Sequence, residues 1–118
     1  MKLEEIEKIL LEKNGAHIDF PFGEEYMVIK IETKLFAIVS IEDNPLRINL
    51  KCEPNDAIAY REIYESVIPG YHMNKKHWNT VILDGSVPLE VLKDMIDQSY
   101  DLVFKKLTKA QKQNLLLN

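Results

Sequence analysis

The segment VIPGYHMNKKHWNTVILDG, residues 67–85, carries the side chains of this chain best suited to bind a ligand. It holds two histidines, the only tryptophan, two adjacent lysines and two asparagines. Lysines can neutralise phosphates, amides can hydrogen-bond to phosphate oxygens or base edges, and an aromatic ring can stack on a base. The segment could be a reaction centre, a nucleic-acid contact, or a loop that holds the fold together.

Binding of an anion or a nucleic acid involves the most residues. Lys75 and Lys76 could neutralise phosphates, while Asn74 could hydrogen-bond to them and Tyr71 or Trp78 could stack on a base. The full predicted interface consists of Arg47, Lys51, Tyr71, His72, Asn74, Lys75, Lys76, His77, Trp78 and Asn79. A structural interpretation stays open, because Trp78 begins an apolar strand and His72 and Asn79 could satisfy loop backbone groups.

Metal chemistry and catalysis have weaker support in the sequence. His72 and His77 are five residues apart, which suits neither one helical face nor one strand face. Cys52 lies on the apolar side of its strand, and Ser99 adjoins an apolar helix stripe, so both are expected to pack rather than react. There is no HExxH, GxSxG or glycine-rich phosphate motif. We predict no metal, no cofactor and no enzymatic activity.

Strands are predicted in EYMVIKIE, KLFAIVSIE, LRINLKC and WNTVILDG. The second is the most continuously apolar, so we expect it at the centre of the sheet. In the third, Leu46, Ile48, Leu50 and Cys52 alternate with the polar residues Arg47, Asn49 and Lys51. Successive strand side chains point to opposite faces, so the polar side of this strand should be the open face of the sheet.

Three helices and a short fourth one complete the pattern. Apolar residues at spacings of three and four predict helices that bury Leu3, Ile6 and Leu10; Ala59, Ile63 and Val67; and Leu89, Leu92, Ile96, Tyr100, Val103 and Leu107. Thr108 and Gln111 form a capping-box pattern that predicts a last helix. The expected fold class is α+β, a two-layer sandwich with a mostly antiparallel sheet and helices packed on one face.

The 118 residues are expected to form a single domain, residues 1–118, with one core. No apolar run reaches the length of a membrane span, and the lone cysteine requires no oxidising compartment, so we predict a cytoplasmic protein. The net charge is −4, but residues 1–45 carry ten acidic residues against five lysines, and residues 46–118 carry nine against ten basic ones. This asymmetry permits anion binding without requiring it. The sequence leaves the oligomeric state open, and a monomer is compatible with it.

The segment PGYHMNKKHWNTV, residues 69–81, closely resembles the signature of the MmcQ/YjbR family. Other landmarks agree in order along residues 1–110: FPFGEEYMVIKI, KLFAIV, INLKCEP and DQSYDLVFKKL. The hairpin at residues 32–33 departs from the glycine that family members often have there. By position, the motif residues here are His72, Met73, Asn74, Lys75, His77, Trp78 and Asn79, with the partner segments Leu50-Lys51-Cys52 and Ser99-Tyr100.

The resemblance implies a double-wing domain, similar in shape to frataxin-like two-layer folds, and a label of DNA binding that rests on fold analogy. The family resemblance implies no catalytic activity. Three hypotheses follow: a DNA-binding domain that uses this loop and the open sheet face, a module that binds a small anion or a protein through the same loop, and a motif that only builds the fold.

Overall fold

The fold is built from four helices and six strands in a computed structural model that describes residues 1–70 and 73–117. Tyr71 and His72, both predicted interface residues, lie outside the described residues. The elements in chain order are α1 (Leu3–Leu11), β1 (Ala16–Asp19), β2 (Tyr26–Ile31), β3 (Lys34–Ser40), β4 (Arg47–Lys51), α2 (Pro54–Ile63), β5 (Val67–Pro69), β6 (Trp78–Ile82), α3 (Leu89–Lys105) and α4 (Lys109–Leu117).

The described strands form one sheet in the order β1-β2-β3-β4-β6-β5, and each neighbouring pair is antiparallel. The predicted α+β class with an antiparallel sheet is therefore confirmed. Strand β3 lies in the interior of the sheet with residues 36–39 all buried, as its apolar sequence predicts.

Strand β4 separates the two faces of the sheet. Ile48 and Leu50 are buried in the core, while Arg47, Asn49 and Lys51 point to the other face, so the alternation predicted for this strand is confirmed. The helices lie on the core face. Helices α1, α3 and α4 join Ile48 in one hydrophobic cluster through Ile6, Leu10, Leu92, Ile96, Val103 and Leu115. Helix α2 lies on the same side, because its Ala57 carbonyl accepts a hydrogen bond from Asn79, the cross-strand partner of Leu50. None of the described helices lies on the opposite face of the sheet, which we call the helix-free face.

The predicted boundary of the second helix is wrong. The chain leaves the helix at Ile63, whose side chain is 67% exposed, and Val67 belongs to β5 instead of a helical stripe. Ala59, which was predicted to be buried, is exposed, and the residue that α2 buries completely is Ala57. The predicted stripe of α3 is confirmed at Leu92, Ile96 and Val103 and half-buried at Tyr100, whereas Leu89 is exposed and the buried Leu107 lies beyond the end of the helix.

The predicted capping box at the start of α4 is confirmed by two reciprocal hydrogen bonds. The Gln111 amide N–H donates to Thr108 Oγ1 at 3.1 Å, and the Thr108 amide N–H donates to Gln111 Oε1 at 2.9 Å. Both groups would otherwise be unpaired at the first turn of the helix, so this exchange fixes where α4 begins.

The predicted hairpin between β2 and β3 is present, and residues 32–33 form its two-residue loop. Glu32 has φ of 54° there, a left-handed conformation that glycine adopts without strain and most side chains do not. The sequence therefore places an unfavourable residue type at the tightest point of this hairpin.

Strand β5 is a three-residue outer strand that the sequence did not predict. On either side of Ile68, the Ser66 carbonyl accepts from the Ile82 amide and the Gly70 amide donates to the Trp78 carbonyl. The Val67 amide instead donates to the Tyr64 carbonyl at 3.0 Å, and Pro69 has no amide hydrogen. Alternate residues along this segment bond to β6, as in any antiparallel pair, and Val67 and Pro69 between them have no N–H free to donate outward.

Candidate functional site

The loop after β5 is tied to the end of β4 by backbone hydrogen bonds. The Cys52 amide donates to the His77 carbonyl at 2.8 Å, and the His77 amide donates to the Asn74 carbonyl at 3.1 Å. The Asn74 side chain accepts from the Lys76 amide at 2.9 Å, a local turn that asparagine commonly makes. These bonds place residues 74–77 beside Lys51, as the sequence predicts.

Three lysines from separate elements line two small clefts at this end of the sheet. Lys34 begins β3, Lys51 ends β4 and Lys106 follows the last residue of α3. Lys51, Lys106 and Trp78 line both clefts, of about 360 and 240 Å³, and Lys34 lines the smaller one. We refer to Lys34, Lys51 and Lys106 as the lysine cluster. None of the three has an ion-pair partner in the described part of the chain.

Asn74 and His77 line the larger cleft beside the lysine cluster, so the loop brings both of these predicted residues to the site. Lys75 and Lys76, between them in sequence, are exposed and carry no ion pair among the described residues. Glu53 is the acidic residue that lines the same cleft. Cations therefore outnumber carboxylates in the lining of the two clefts, despite the negative charge of the whole chain.

Trp78 lies in the wall of both clefts but is only 9% exposed. A ring that is almost fully covered cannot lie flat against a base, because stacking needs one open face. The structure therefore gives Trp78 the position of a cleft wall, the packing alternative that its place at the start of an apolar strand suggests.

Asn79 is 4% exposed and its amide is used inside the protein. Its Nδ2 donates to the Ala57 carbonyl at 3.2 Å, and its Oδ1 accepts from Arg61 Nη1 at 2.8 Å. Arg61 also reaches the Lys75 carbonyl at 3.4 Å. Asn79 thus fastens α2 to β6 and has no surface to offer a ligand.

Arg47 does not join the lysine cluster. It begins β4 while Lys51 ends it, and four residues of strand at about 3.3 Å each separate the two by about 13 Å. Its Nε lies 4.0 Å from Asp43 Oδ2, and its side chain lines a different cavity. The two residues share a face, as predicted, but not a site.

The candidate nucleophiles are held in structural roles. Cys52 Sγ donates to Gln98 Oε1 at 2.8 Å, and burial, together with Asp56 and Glu53 nearby, raises the pKa of this thiol to about 11. A thiol that stays protonated at neutral pH is a poor nucleophile. Ser99 is fully buried, where its hydroxyl donates to the Phe36 carbonyl at 2.5 Å and accepts from the Lys51 amide at 2.9 Å. The packing roles predicted for both residues are confirmed.

No group of three His, Cys, Asp or Glu side chains within residues 1–70 and 73–117 could hold a metal ion. Over the same ranges, no helix combines the length and apolar character needed to cross a bilayer.

The sequence did not single out Lys34 or Lys106 as site residues. Lys106 belongs to the basic run FKKLTKAQK, a signal that marks positive charge without saying which face carries it. Lys34 carries no such signal, because its role arises only from the register that brings the start of β3 beside the end of β4.

A family model named YjbR matches residues 11–102, which is most of the chain. The match includes Lys34 and Lys51 of the lysine cluster and ends before Lys106. The chain belongs to the YjbR family. The resemblance drawn from the segment at residues 69–81 is thereby confirmed.

Relatives within the YjbR family match over nearly their whole length. Uncharacterized protein YbdF of Escherichia coli O157:H7 is 36% identical over 112 residues, covering 95% of this chain and 92% of the relative. Uncharacterized protein YjbR of Escherichia coli strain K12 is 33% identical over 116 residues, covering 98% of each chain.

Solved structures share the fold described above. The crystal structure of Deinococcus radiodurans protein DR2400, with its DUF419 domain, superposes with a TM-score of 0.90 at 38% identity, covering 97% of this chain and 87% of that one. A Pseudomonas syringae protein gives a TM-score of 0.75 at 25% identity, covering 86% of this chain and 98% of that one. The six-stranded sheet and its helical layer are therefore shared with these YjbR-like proteins.

Proposed function

We propose that this YjbR-family domain binds DNA through the lysine cluster and the exposed Lys75 and Lys76. The observation that carries the proposal is the convergence of Lys34, Lys51 and Lys106 from three elements distant in sequence. Lysines without carboxylate partners gain most from a polyanion, because they neutralise phosphates and release the condensed counterions.

The proposed contact is to the phosphate backbone. Within the described residues, Trp78 and Asn79 are buried, whereas Lys75 and Lys76 are exposed beside Asn74. Contacts to phosphates position a protein on DNA but carry no sequence information. We therefore expect similar affinity for DNA of different sequences. Asn74 and His77 would add hydrogen bonds at the cleft, and Arg47 would not take part.

The proposed activity is binding without a reaction. The occupied side chains of Cys52 and Ser99 support this view, since neither is positioned to attack a bound phosphate. A DNA ligand also implies a cytoplasmic protein, in line with a chain whose single cysteine forms no internal disulfide.

Fluorescence anisotropy with labelled duplex and single-stranded DNA tests the proposal. If three to five phosphates are neutralised, log affinity should fall with log salt at a slope between about −2.7 and −4.5. At the lower slope, affinity drops about 40-fold between about 50 and 200 mM salt. A double variant, Lys51→Gln with Lys106→Gln, should make the slope shallower by about 1.8.

A matched double variant, Lys8→Gln with Lys93→Gln, controls for net charge. Both lysines are exposed on helices, and Lys93 precedes Lys106 by 13 residues, about 20 Å along α3. This control should leave the slope unchanged. Absence of binding at low salt, or an equal loss in both double variants, would contradict the proposal.

The larger cleft favours one alternative, a small anion bound at the same lysines. Its volume of about 360 Å³ falls within the range of small-molecule pockets. A single small anion would give a slope near −1 or weaker, and inorganic phosphate at millimolar concentration would displace DNA completely. Displacement that needs a long polyanion favours the DNA proposal.

A further inference from the structure

The helix-free face of the sheet carries a cavity of about 560 Å³, separate from the lysine cluster. Two cross-strand rows form its floor. One row runs from Tyr26 through Ser40 to Arg47, and the next runs from Ile38 through Asn49 to Thr80. Directly paired residues on neighbouring strands point to the same face, so both rows face the cavity.

Apolar side chains from the loops before β2 and β6 form the walls of the cavity. Phe22 lines the cavity from the loop before β2 and is 56% exposed, while Met73 lines it from the loop before β6. Ile38 is only 7% exposed, although none of the helices in the described part of the chain covers its face. A large exposed aromatic side chain over a recessed apolar floor is typical of a preformed pocket for a small ligand, and the volume lies in the usual range for one.

Arg47 supplies the charge that such a ligand would need to match. It is the one cation among the described residues that line the cavity. Only its Nε approaches a carboxylate, Asp43, at the long distance of 4.0 Å, and both side chains are about half exposed. Pairs of this kind contribute little, so the terminal guanidinium nitrogens remain able to take a planar two-oxygen anion.

We propose that the cavity floored by Tyr26, Ile38 and Arg47 binds a small organic monoanion with a flat apolar body. The body lies against Phe22 and Tyr26 above the recessed Ile38, and its carboxylate or sulfonate bonds to Arg47. Asp43, which also lines the cavity beside Arg47, disfavours a second negative charge on the ligand. Beneath the ligand, the buried Thr80 hydroxyl donates to Asn49 Oδ1 at 2.5 Å, which holds two strands of the floor together.

Two dyes of similar shape test the proposal. 1-Anilinonaphthalene-8-sulfonate carries one sulfonate, and N-phenyl-1-naphthylamine has the same aromatic body without it. We expect both to bind the native protein with a fluorescence increase, the sulfonate more tightly. Arg47→Met should weaken the sulfonate about tenfold and leave the neutral dye unchanged. Ser40→Trp, which fills the cavity from the solvent side of β3, should abolish both signals while circular dichroism stays native.

Lys93→Met is the matched control, because it removes one positive charge from the helical layer and should change neither dye. Amide chemical shifts of Tyr26, Asn49 and Thr80 should move on titration with the sulfonate. Three results would overturn the proposal: equal affinity for the two dyes, sulfonate binding retained in folded Ser40→Trp, or loss of the sulfonate in Lys51→Met but not in Arg47→Met. The last would place the dye at the lysine cluster. None of these results bears on DNA binding, which the salt slopes measure separately.

Discussion

Replacing Ser99 with alanine should destabilise the protein by about 2 kcal/mol, because one hydroxyl joins three elements. From α3, this hydroxyl donates to the Phe36 carbonyl of β3 and accepts from the Lys51 amide at the end of β4. The serine is fully buried, so water cannot replace it at either group without opening the interface between helix and sheet.

The magnitude follows from the two hydrogen bonds. Each buried backbone group left without a partner costs about 1–3 kcal/mol, and the lower end applies where a partly buried site can relax. Lys51 is partly exposed, which places its amide at that lower end. Alanine also has higher helix propensity than serine, which offsets the loss of stability by about 0.5 kcal/mol. With about 1.5 kcal/mol for the Phe36 carbonyl and about 1 kcal/mol for the Lys51 amide, the net loss is about 2 kcal/mol.

Urea unfolding followed by Trp78 fluorescence measures this loss, and hydrogen exchange locates it. The Lys51 amide should lose protection beyond the general decrease shown by the rest of β4. Ser86→Ala is the matched control. Its hydroxyl donates to Asp84 Oδ1 at 2.6 Å in an exposed turn and lies 2.5 Å from Ser66 Oγ, which keeps its own bond to Asp84 Oδ2, so its loss should cost under about 1 kcal/mol. A loss in Ser99→Ala no greater than in Ser86→Ala would refute the reasoning, as would unchanged protection of Lys51.

Two further predictions concern strain and pH. Glu32→Gly should stabilise the protein by about 0.5–1 kcal/mol, because glycine adopts the left-handed φ of 54° freely. Thr33→Gly, beside it but without a positive φ, should destabilise, and a urea midpoint that falls in both variants would show that residue 32 is unstrained. The raised pKa of the Cys52 thiol means that the unfolded chain loses this proton first, so the free energy of unfolding should fall as pH rises from about 9 to about 11. Cys52→Ala should flatten that part of the profile, and an identical slope in both proteins would show that another group is responsible.

The sequence predicted the helices and strands whose apolar residues recur with the period of the element. The alternation in β4 assigned Ile48 and Leu50 to one face and Arg47 and Lys51 to the other, because period-two patterning directly reports a half-buried strand. The strands β1 and β5 were missed for the opposite reason. Both are short outer strands, and their extended conformation depends on hydrogen bonds to a neighbour that the local sequence does not encode.

The candidate site was only partly predictable. The loop residues Asn74 and His77 do meet Lys51, because a single segment of chain carries both. Lys34 and Lys106 come from elements far away in sequence, and only the sheet register and the position of α3 bring them there. The prediction that Arg47 belongs to the same site as Lys51 is wrong for a simpler reason. Charge and face are readable from the sequence, but the length of a five-residue strand is enough to put its two ends in different sites.

The outer strand β5 has a consequence for how copies of this protein meet. Because alternate residues of an antiparallel strand bond to opposite sides, Val67 and Pro69 are the residues whose backbone turns away from β6. The Val67 N–H already donates to the Tyr64 carbonyl, and Pro69 has no N–H. The outer edge of β5 therefore has no backbone donor for another strand. A second strand could bond to this edge only by donating to carbonyl groups, so it would form fewer hydrogen bonds than along an ordinary strand edge. Pairing of β5 with another copy of the chain is therefore disfavoured.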